Sequence, residues 1–238
     1  MKQAIESAEK QLKYLVPYLN TNILFANSEW AIVGGFVRDT LISKYLGGNL
    51  LSADIDIAVI GDLPKVCLNK EIIGISNNSF GGLKIETVKY GFIDIWSVNK
   101  NQNKRTNESQ WMDYLDHIDF SINSIIFTYP YQKIFMHKRW LNSFKRRLIS
   151  QLNEASPSPD LQLVRALALS KTLSLKTGLS FSTNTITINR LQNLLSTGDI
   201  SSYHTILNYT VDKVIKNRWP DKVLDELIDL KIASNNIQ

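Results

Sequence analysis

The stretch that decides the fold is Trp30-Ala31-Ile32-Val33-Gly34-Gly35-Phe36-Val37-Arg38-Asp39, followed further on by Asp54-Ile55-Asp56-Ile57-Ala58-Val59-Ile60. The first segment is a short apolar run, a glycine pair, and then apolar spacing of helical period up to Gly47-Gly48. It reads as strand, glycine turn, helix. Glycine lets a backbone come close to a phosphate, and the free N–H groups and dipole of a helix start favour its negative charge. Arg38 and Asp39 fall in the first turn of that helix. The second segment alternates and is rich in β-branched residues, so it reads as a strand that Gly61-Asp62-Leu63-Pro64 ends.

On that strand Asp54 and Asp56 are two residues apart, which sends both side chains to one face, roughly 6–7 Å apart along the chain. Their neighbours are apolar. Two carboxylates on a half-buried strand raise each other's pKa unless a cation neutralises them. Mg2+, or Mn2+ in its place, is the natural partner of such hard oxygen ligands. Asp94, within Phe92-Ile93-Asp94-Ile95-Trp96, is a third carboxylate on an apolar strand, and Glu86 is the reserve candidate. Three carboxylates from two strands suit a two-metal phosphoryl-transfer site.

Outward from this core, residues 3–16 have helical spacing, with Pro17 and Asn20-Thr21-Asn22 expected to close the helix. Residues 83–98 read as a hairpin with its turn at Tyr90-Gly91, and residues 99–109 read as a polar loop. Residues 120–136 give another strand pair around Tyr129-Pro130-Tyr131. Beyond the break at Ser156-Pro157-Ser158-Pro159, helical periods run over 161–173, 185–195, 201–208, 211–215 and 223–232. The expected architecture is α+β: a mixed head domain over residues 1–150, then a small all-helical domain over 151–238.

Composition agrees with an ordinary globular protein. The 238 residues are 44% hydrophobic and 21% charged. A single cysteine, Cys67, excludes an internal disulfide and a cysteine-based zinc site, and three scattered histidines argue against a histidine-rich one. No apolar run reaches the ~18 residues of a membrane span, and the first residues lack the apolar core of a secretory signal. A cytoplasmic location and no membrane partner are therefore expected. The formal charge is +5. Lys138-Arg139 and Lys145-Arg146-Arg147, interleaved with Trp140 and Phe144, read either as an RNA-facing patch or as the solvated face of a helix.

The motifs also resemble a family. Ile32-Val33-Gly34-Gly35-Phe36-Val37-Arg38-Asp39 with Asp54-Ile55-Asp56 is similar to the GGxVRD and DxD blocks of class II tRNA nucleotidyltransferases (CCA-adding enzymes) and bacterial poly(A) polymerases. Asp119-Phe120-Ser121-Ile122-Asn123-Ser124-Ile125 is similar to the family's RRDFTINAL, and Leu163-Val164-Arg165-Ala166 to the end of EDPLRLLRA. The resemblance covers roughly residues 28–170 and implies the polymerase β-type nucleotidyltransferase fold. It implies that Gly34, Gly35 and Arg38 hold the triphosphate, and that Asp54, Asp56 and Asp94 hold metal and carry catalysis. It further implies that Asp39, Asp119, Asn123 and Arg165 shape the nucleotide pocket.

The chain departs from the pattern in two places. His117-Ile118 stands where the family has two arginines, and Pro159 and Gln162 stand at the Asp and Arg positions of EDPLR. That element selects C and then A in the family. A neutral Gln162 offers a donor and an acceptor, so no ordered C-C-A addition is expected.

The resulting expectation is an enzyme that moves NMP from an NTP such as ATP to an acceptor hydroxyl, releasing pyrophosphate, with an RNA 3′ end of tRNA type as first acceptor. A protein or small-molecule acceptor is the alternative, as in toxin or defence nucleotidyltransferases. A non-catalytic nucleotide- or RNA-binding relative is the other. A glycosyltransferase reading of Asp-x-Asp leaves the glycine turn and the Asp119–Asn123 block unexplained.

Overall fold

The computed structural model describes residues 1–25, 28–48, 50, 54–78, 81–98, 107–152 and 159–183. The helices expected over 185–195, 201–208, 211–215 and 223–232 lie outside these residues. In chain order the elements are α1 (Lys2–Lys13), α2 (Val16–Asn22), β1 (Ile23–Leu24), β2 (Glu29–Val33), α3 (Gly35–Leu46) and β3 (Ile55–Ile60). Next come β4 (Lys65–Val66), β5 (Ile72–Asn77), β6 (Leu83–Thr87), β7 (Gly91–Val98) and α4 (Asn107–Asp116). A 3-10 turn (Ser121–Asn123) leads to β8 (Ile125–Tyr129), β9 (Lys133–Met136), α5 (Lys138–Arg146), β10 (Leu148–Ile149), α6 (Pro159–Thr177) and β11 (Ser182–Thr183).

Seven strands form one mixed sheet in the order β5-β6-β7-β3-β2-β8-β9. Among its described pairings β3 with β7 is the parallel one, and the others are antiparallel. Register explains the sequence pattern. One cross-strand row runs Leu83, Ile95, Ile57, Ile32, Phe127, Ile134 and is apolar from β6 to β9. The adjacent row, on the opposite face, runs Lys84, Asp94, Asp56, Val33, Ile126, Phe135. In these two rows the charged residues fall on one face, at β6, β7 and β3. Helix α3 packs against β2, β3 and β8 and is backed by α1. Its residues Val37 to Ser43 are all buried, so it behaves as a core helix.

Several elements differ from the sequence reading. Pro17 does not close the first helix: it sits in the first turn of α2, where its missing N–H has no helical acceptor to lose. The polar stretch through 109 overlaps α4, which begins at Asn107. Strand β5 is additional, an edge strand with a register irregularity between Ile72 and Gly74. Ahead of β6 the Gly82 N–H donates to Asn78 Oδ1 at 2.8 Å, and a Cβ built on Gly82 would stand 1.9 Å from the Ile95 carbonyl oxygen. Only glycine fits there.

The chain divides into two compact units, one of Met1–His117 with Asn123–Trp140, the other of Ile118–Ile122 with the residues from Leu141 on. The short segment groups with the second unit through its partners there. The Ser121 N–H donates to Ser150 O at 2.8 Å, the Leu152 N–H to Asp119 O at 2.8 Å, and Phe120 bridges Gln151. In that unit β10 and β11 pair in parallel, so strand as well as helix is present beyond residue 150.

Helix α5 starts at a histidine. The Arg139 N–H donates to His137 Nδ1 at 3.2 Å, and His137 Nε2 lies 3.0 Å from Asp116 Oδ1. This pairing requires the neutral tautomer with its proton on Nε2. Burial holds the His137 pKa below the usual value, helped by Lys138 and Arg139, while Asp116 opposes the shift. Below about pH 6.5 the unfolded chain therefore binds a proton that the native state resists, and stability falls as the pH falls through that window. Urea midpoints measured between pH 8 and 5 should decline more steeply for the wild type than for His137→Asn, whose side chain still caps but does not titrate.

Candidate functional site

The turn between β2 and α3 is built on Gly34, which has φ +65° and ψ −127°, a conformation open to glycine. Its carbonyl accepts from the Arg38 N–H at 3.0 Å and its N–H donates to Ile125 O at 3.2 Å. No side chain caps α3. The N–H groups of Gly35, Phe36 and Val37 lie in its first turn, where a helix offers no carbonyl one turn back. This is the geometry that accepts an anion. A Cβ on Gly34 would stand 4.0 Å from Asp56 Oδ2, so the turn and the β3 carboxylate are neighbours.

Asp56 pairs with Val33 on β2 and with Asp94 on β7. Residues opposite each other on adjacent strands share a face, so Asp56 and Asp94 stand side by side, and Asp54 lies just ahead of β3, which begins at Ile55. All three are partly exposed. Glu86 pairs with Phe92, one strand further out from β3, and its side chain is exposed beside Gly74. The register therefore brings Asp94, not Glu86, next to Asp56.

Lys84 was not singled out by the sequence. It pairs with Asp94 across β6 and β7, and its Nζ lies 3.6 Å from Asp94 Oδ2 and 4.6 Å from the centre of the Phe92 ring. Only the pairing register identifies it, because nothing in its sequence neighbourhood marks a lysine as a partner of Asp94. Among the described residues no three Asp, Glu, His or Cys side chains lie close enough together to cage a metal. Asp56 and Asp94 share a face, and a lysine stands at Asp94. In kind the donor set, all carboxylate, fits a hard divalent cation such as Mg2+.

The sequence blocks around Arg38 and Asn123 converge. Arg38 Nη1 donates to Asn123 Oδ1 at 2.6 Å, while Nε and Nη2 both reach Asp39 Oδ1 at 2.6 Å. Arg38 is 5% and Asp39 1% exposed. Arg38 thus joins α3 to the turn before β8; the family resemblance implies a triphosphate role for the same side chain.

In the second unit, Asp119 Oδ2 accepts from Gln162 Nε2 and from Arg165 Nη1, each at 3.0 Å. The Arg165 guanidinium lies over the Phe120 ring at 5.7 Å. An acceptor-only carboxylate fixes which way round the buried Gln162 amide sits. Asp119, Gln162 and Arg165 are one cluster; Gly34, Gly35, Arg38, Asp39, Asn123 and the three acids belong to the first unit.

No protein-family profile matches the sequence, and no curated protein matches it. Solved structures do. A CCA-adding enzyme with CTP is 18% identical, with a TM-score of 0.62, over 96% of this chain and 55% of that one. A CCA-adding enzyme with ATP is 20% identical, TM-score 0.63, over 95% and 53%. The Thermotoga maritima CCA-adding enzyme complexed with tRNA is 20% identical, TM-score 0.55, over 87% and 47%. The mixed α+β fold matches the nucleotidyltransferase head of these structures. The chain spans about half the length of the proteins it matches. No helix among the described residues is long and apolar enough to cross a membrane.

Removing one member of a buried ion pair strands the other. Asp39→Ala should lower stability by about 3–5 kcal/mol in urea unfolding. The double variant Arg38→Met/Asp39→Ala should recover part of that loss, since no charge is then left buried.

Proposed function

We propose that the protein is a metal-dependent nucleotidyltransferase that moves NMP from an NTP to an acceptor hydroxyl, the acceptor being an RNA 3′ end. The observation that carries this reading is the placement of Asp56 between Asp94 and the Gly34 turn. The likeness to CCA-adding enzyme structures supports it at the level of fold.

In this reading the triphosphate lies against the first turn of α3, where backbone N–H groups receive its oxygens and Gly34 and Gly35 keep side chains away. Arg38, tied to Asp39 and Asn123, keeps that turn rigid. Asp54, Asp56 and Asp94 would hold Mg2+ or Mn2+, which when bound would activate the acceptor hydroxyl and neutralise the triphosphate. The acceptor oxygen forms a bond to the α-phosphorus, the bridging bond to the β-phosphate breaks, and pyrophosphate leaves with that electron pair. The hydroxyl proton passes to solvent, since no side chain is assigned as a general base. Asp119 and Arg165 are proposed to act on the nucleotide by the resemblance of their motifs. The head is proposed to span residues 1–150 and the helical part 151–238.

Incubation with Mg2+, each α-labelled NTP and total RNA should give labelled RNA 3′ ends. Asp54→Ala, Asp56→Ala and Asp94→Ala should each reduce incorporation at least ~10²-fold, a loss of several kcal/mol of transition-state stabilisation. Glu86→Ala should leave it near wild type. Label in protein or small molecules alone would redirect the acceptor, and no label with any NTP would support a binding-only relative.

Base choice follows from the second unit. A site that reads a base edge rejects the wrong base because its own polar groups would be left unpaired. With its amide held one way round by Asp119, Gln162 favours a single nucleotide over promiscuous addition. Sequencing of RNA 3′ ends after incubation with all four NTPs should show one added base type and no ordered C-C-A. Faithful C-C-A addition to a truncated tRNA would refute this.

A further inference from the structure

Residues 120–153 contain six Lys or Arg and no Asp or Glu. Five of the six lie between Lys138 and Arg147, equal in number to the net charge of the whole chain, +5. Helix α5 arranges them. Trp140, Ser143 and Phe144 are buried, whereas Lys138, Arg139, Asn142, Lys145 and Arg146 are exposed. The exposed set falls at i, i+1, i+4, i+7 and i+8, one face of the helix, with two cation pairs about 10 Å apart along its axis. Arg147 adds a fifth exposed cation just past its end.

Two of these placements oppose the local preferences of a helix. Lys138 and Arg139 occupy the first turn, which carries no acidic residue, and cations are disfavoured at that end of the dipole. Arg147 has φ +54°, a left-handed position that helix ends usually give to glycine. Its backbone is used there: the N–H donates to Phe144 O at 3.2 Å and the carbonyl accepts from the Ser182 N–H at 2.9 Å. Glycine would make the same bonds with less strain. Local rules broken at both ends of one helix, each time in favour of positive charge, mark a surface kept for its charge.

We infer that the exposed face of α5 with Arg147 is a docking surface for the phosphate backbone of an RNA. The inference deepens the proposed function by naming where acceptor RNA is held, and it rests on that reading for the identity of the polyanion. Charge complementarity carries it: a row of cations without intervening acids matches a regularly spaced anionic chain, and such contacts are sequence-independent and strongly salt-dependent.

Fluorescence anisotropy of a labelled RNA hairpin with a single-stranded 3′ end, without NTP, tests it. Lys138→Gln/Arg139→Gln and Lys145→Gln/Arg146→Gln should each weaken binding about tenfold or more near 0.1 M salt. The slope of log K against log salt should shrink by about 0.7–0.9 for each phosphate no longer neutralised. Arg147→Gly should weaken binding while raising Tm by about 2–4 °C, a pairing that a purely structural role for Arg147 does not produce. Unchanged affinity and slope in both double variants, or undiminished binding by Arg147→Gly, would overturn the inference. Asp56→Asn separates the two readings. If it binds RNA like the wild type while no protein transfers nucleotide, the surface stands and the enzyme reading falls. Transfer by a wild type that does not bind the hairpin overturns the surface and leaves the enzyme.

Discussion

Strand β3 is held in register from both sides, antiparallel to β2 and parallel to β7, and the rest of the head depends on that double constraint. Side chains alternate along a strand, so a slip of one residue would carry Asp56 to the apolar face and Ile55 and Ile57 to the polar one. Burial sets the strength of the constraint. Ile55, Ile57 and Val59 are at most 1% exposed, and each would lose about 1.5–3 kcal/mol on reaching water. The same register puts Val33, the last residue before the glycine turn, opposite Asp56. The position of the helix start relative to the carboxylates is thus a consequence of core packing.

Much of this was legible in the sequence because the relevant patterns are local. Strand, glycine pair and helix are contiguous, and an Asp-x-Asp on an alternating apolar run fixes its own face. The β6–β7 hairpin announces itself by Tyr90-Gly91 between two apolar stretches. What was hidden is non-local. Asp94 and Glu86 are both acids on neighbouring strands, and only pairing register separates them. Lys84 gains a role only through the residue opposite it. Strand β5 escaped because Gly74 interrupts its apolar run and its far end, Ser76-Asn77, is polar; an edge strand with an irregular register needs less apolar surface. Pro17 misled because a proline ends one helix and begins another with equal ease, and the difference lies in the residues on its C-terminal side.

The resemblance to the family implies that Arg38 holds a triphosphate. The structure gives it two protein acceptors and nearly full burial, so much of its hydrogen-bonding capacity serves to join α3 to the segment before β8. Sequence adjacency of Arg38 and Asp39 held the clue. A helix that is buried all round must satisfy its charges internally, and neighbouring residues of opposite sign are the least demanding way to do so.

The closeness of the Gly34 turn to Asp56 bears on the choice between an enzyme and a simple nucleotide binder. An anion held at the Gly34 turn would sit near the Asp56 carboxylate, and like charges repel. A protein that needed only to bind a phosphate would do better with a neutral or basic residue at position 56. Lys84 Nζ, 3.6 Å from Asp94 Oδ2, offsets negative charge at that end of the face. Carboxylates set against an anion cradle are favourable when cations arrive between them, and a triphosphate that travels with divalent cations supplies that condition. This electrostatic conflict, built in by the β2–β3–β7 register, is why the proposed reading is transfer from a metal-bound NTP instead of binding alone.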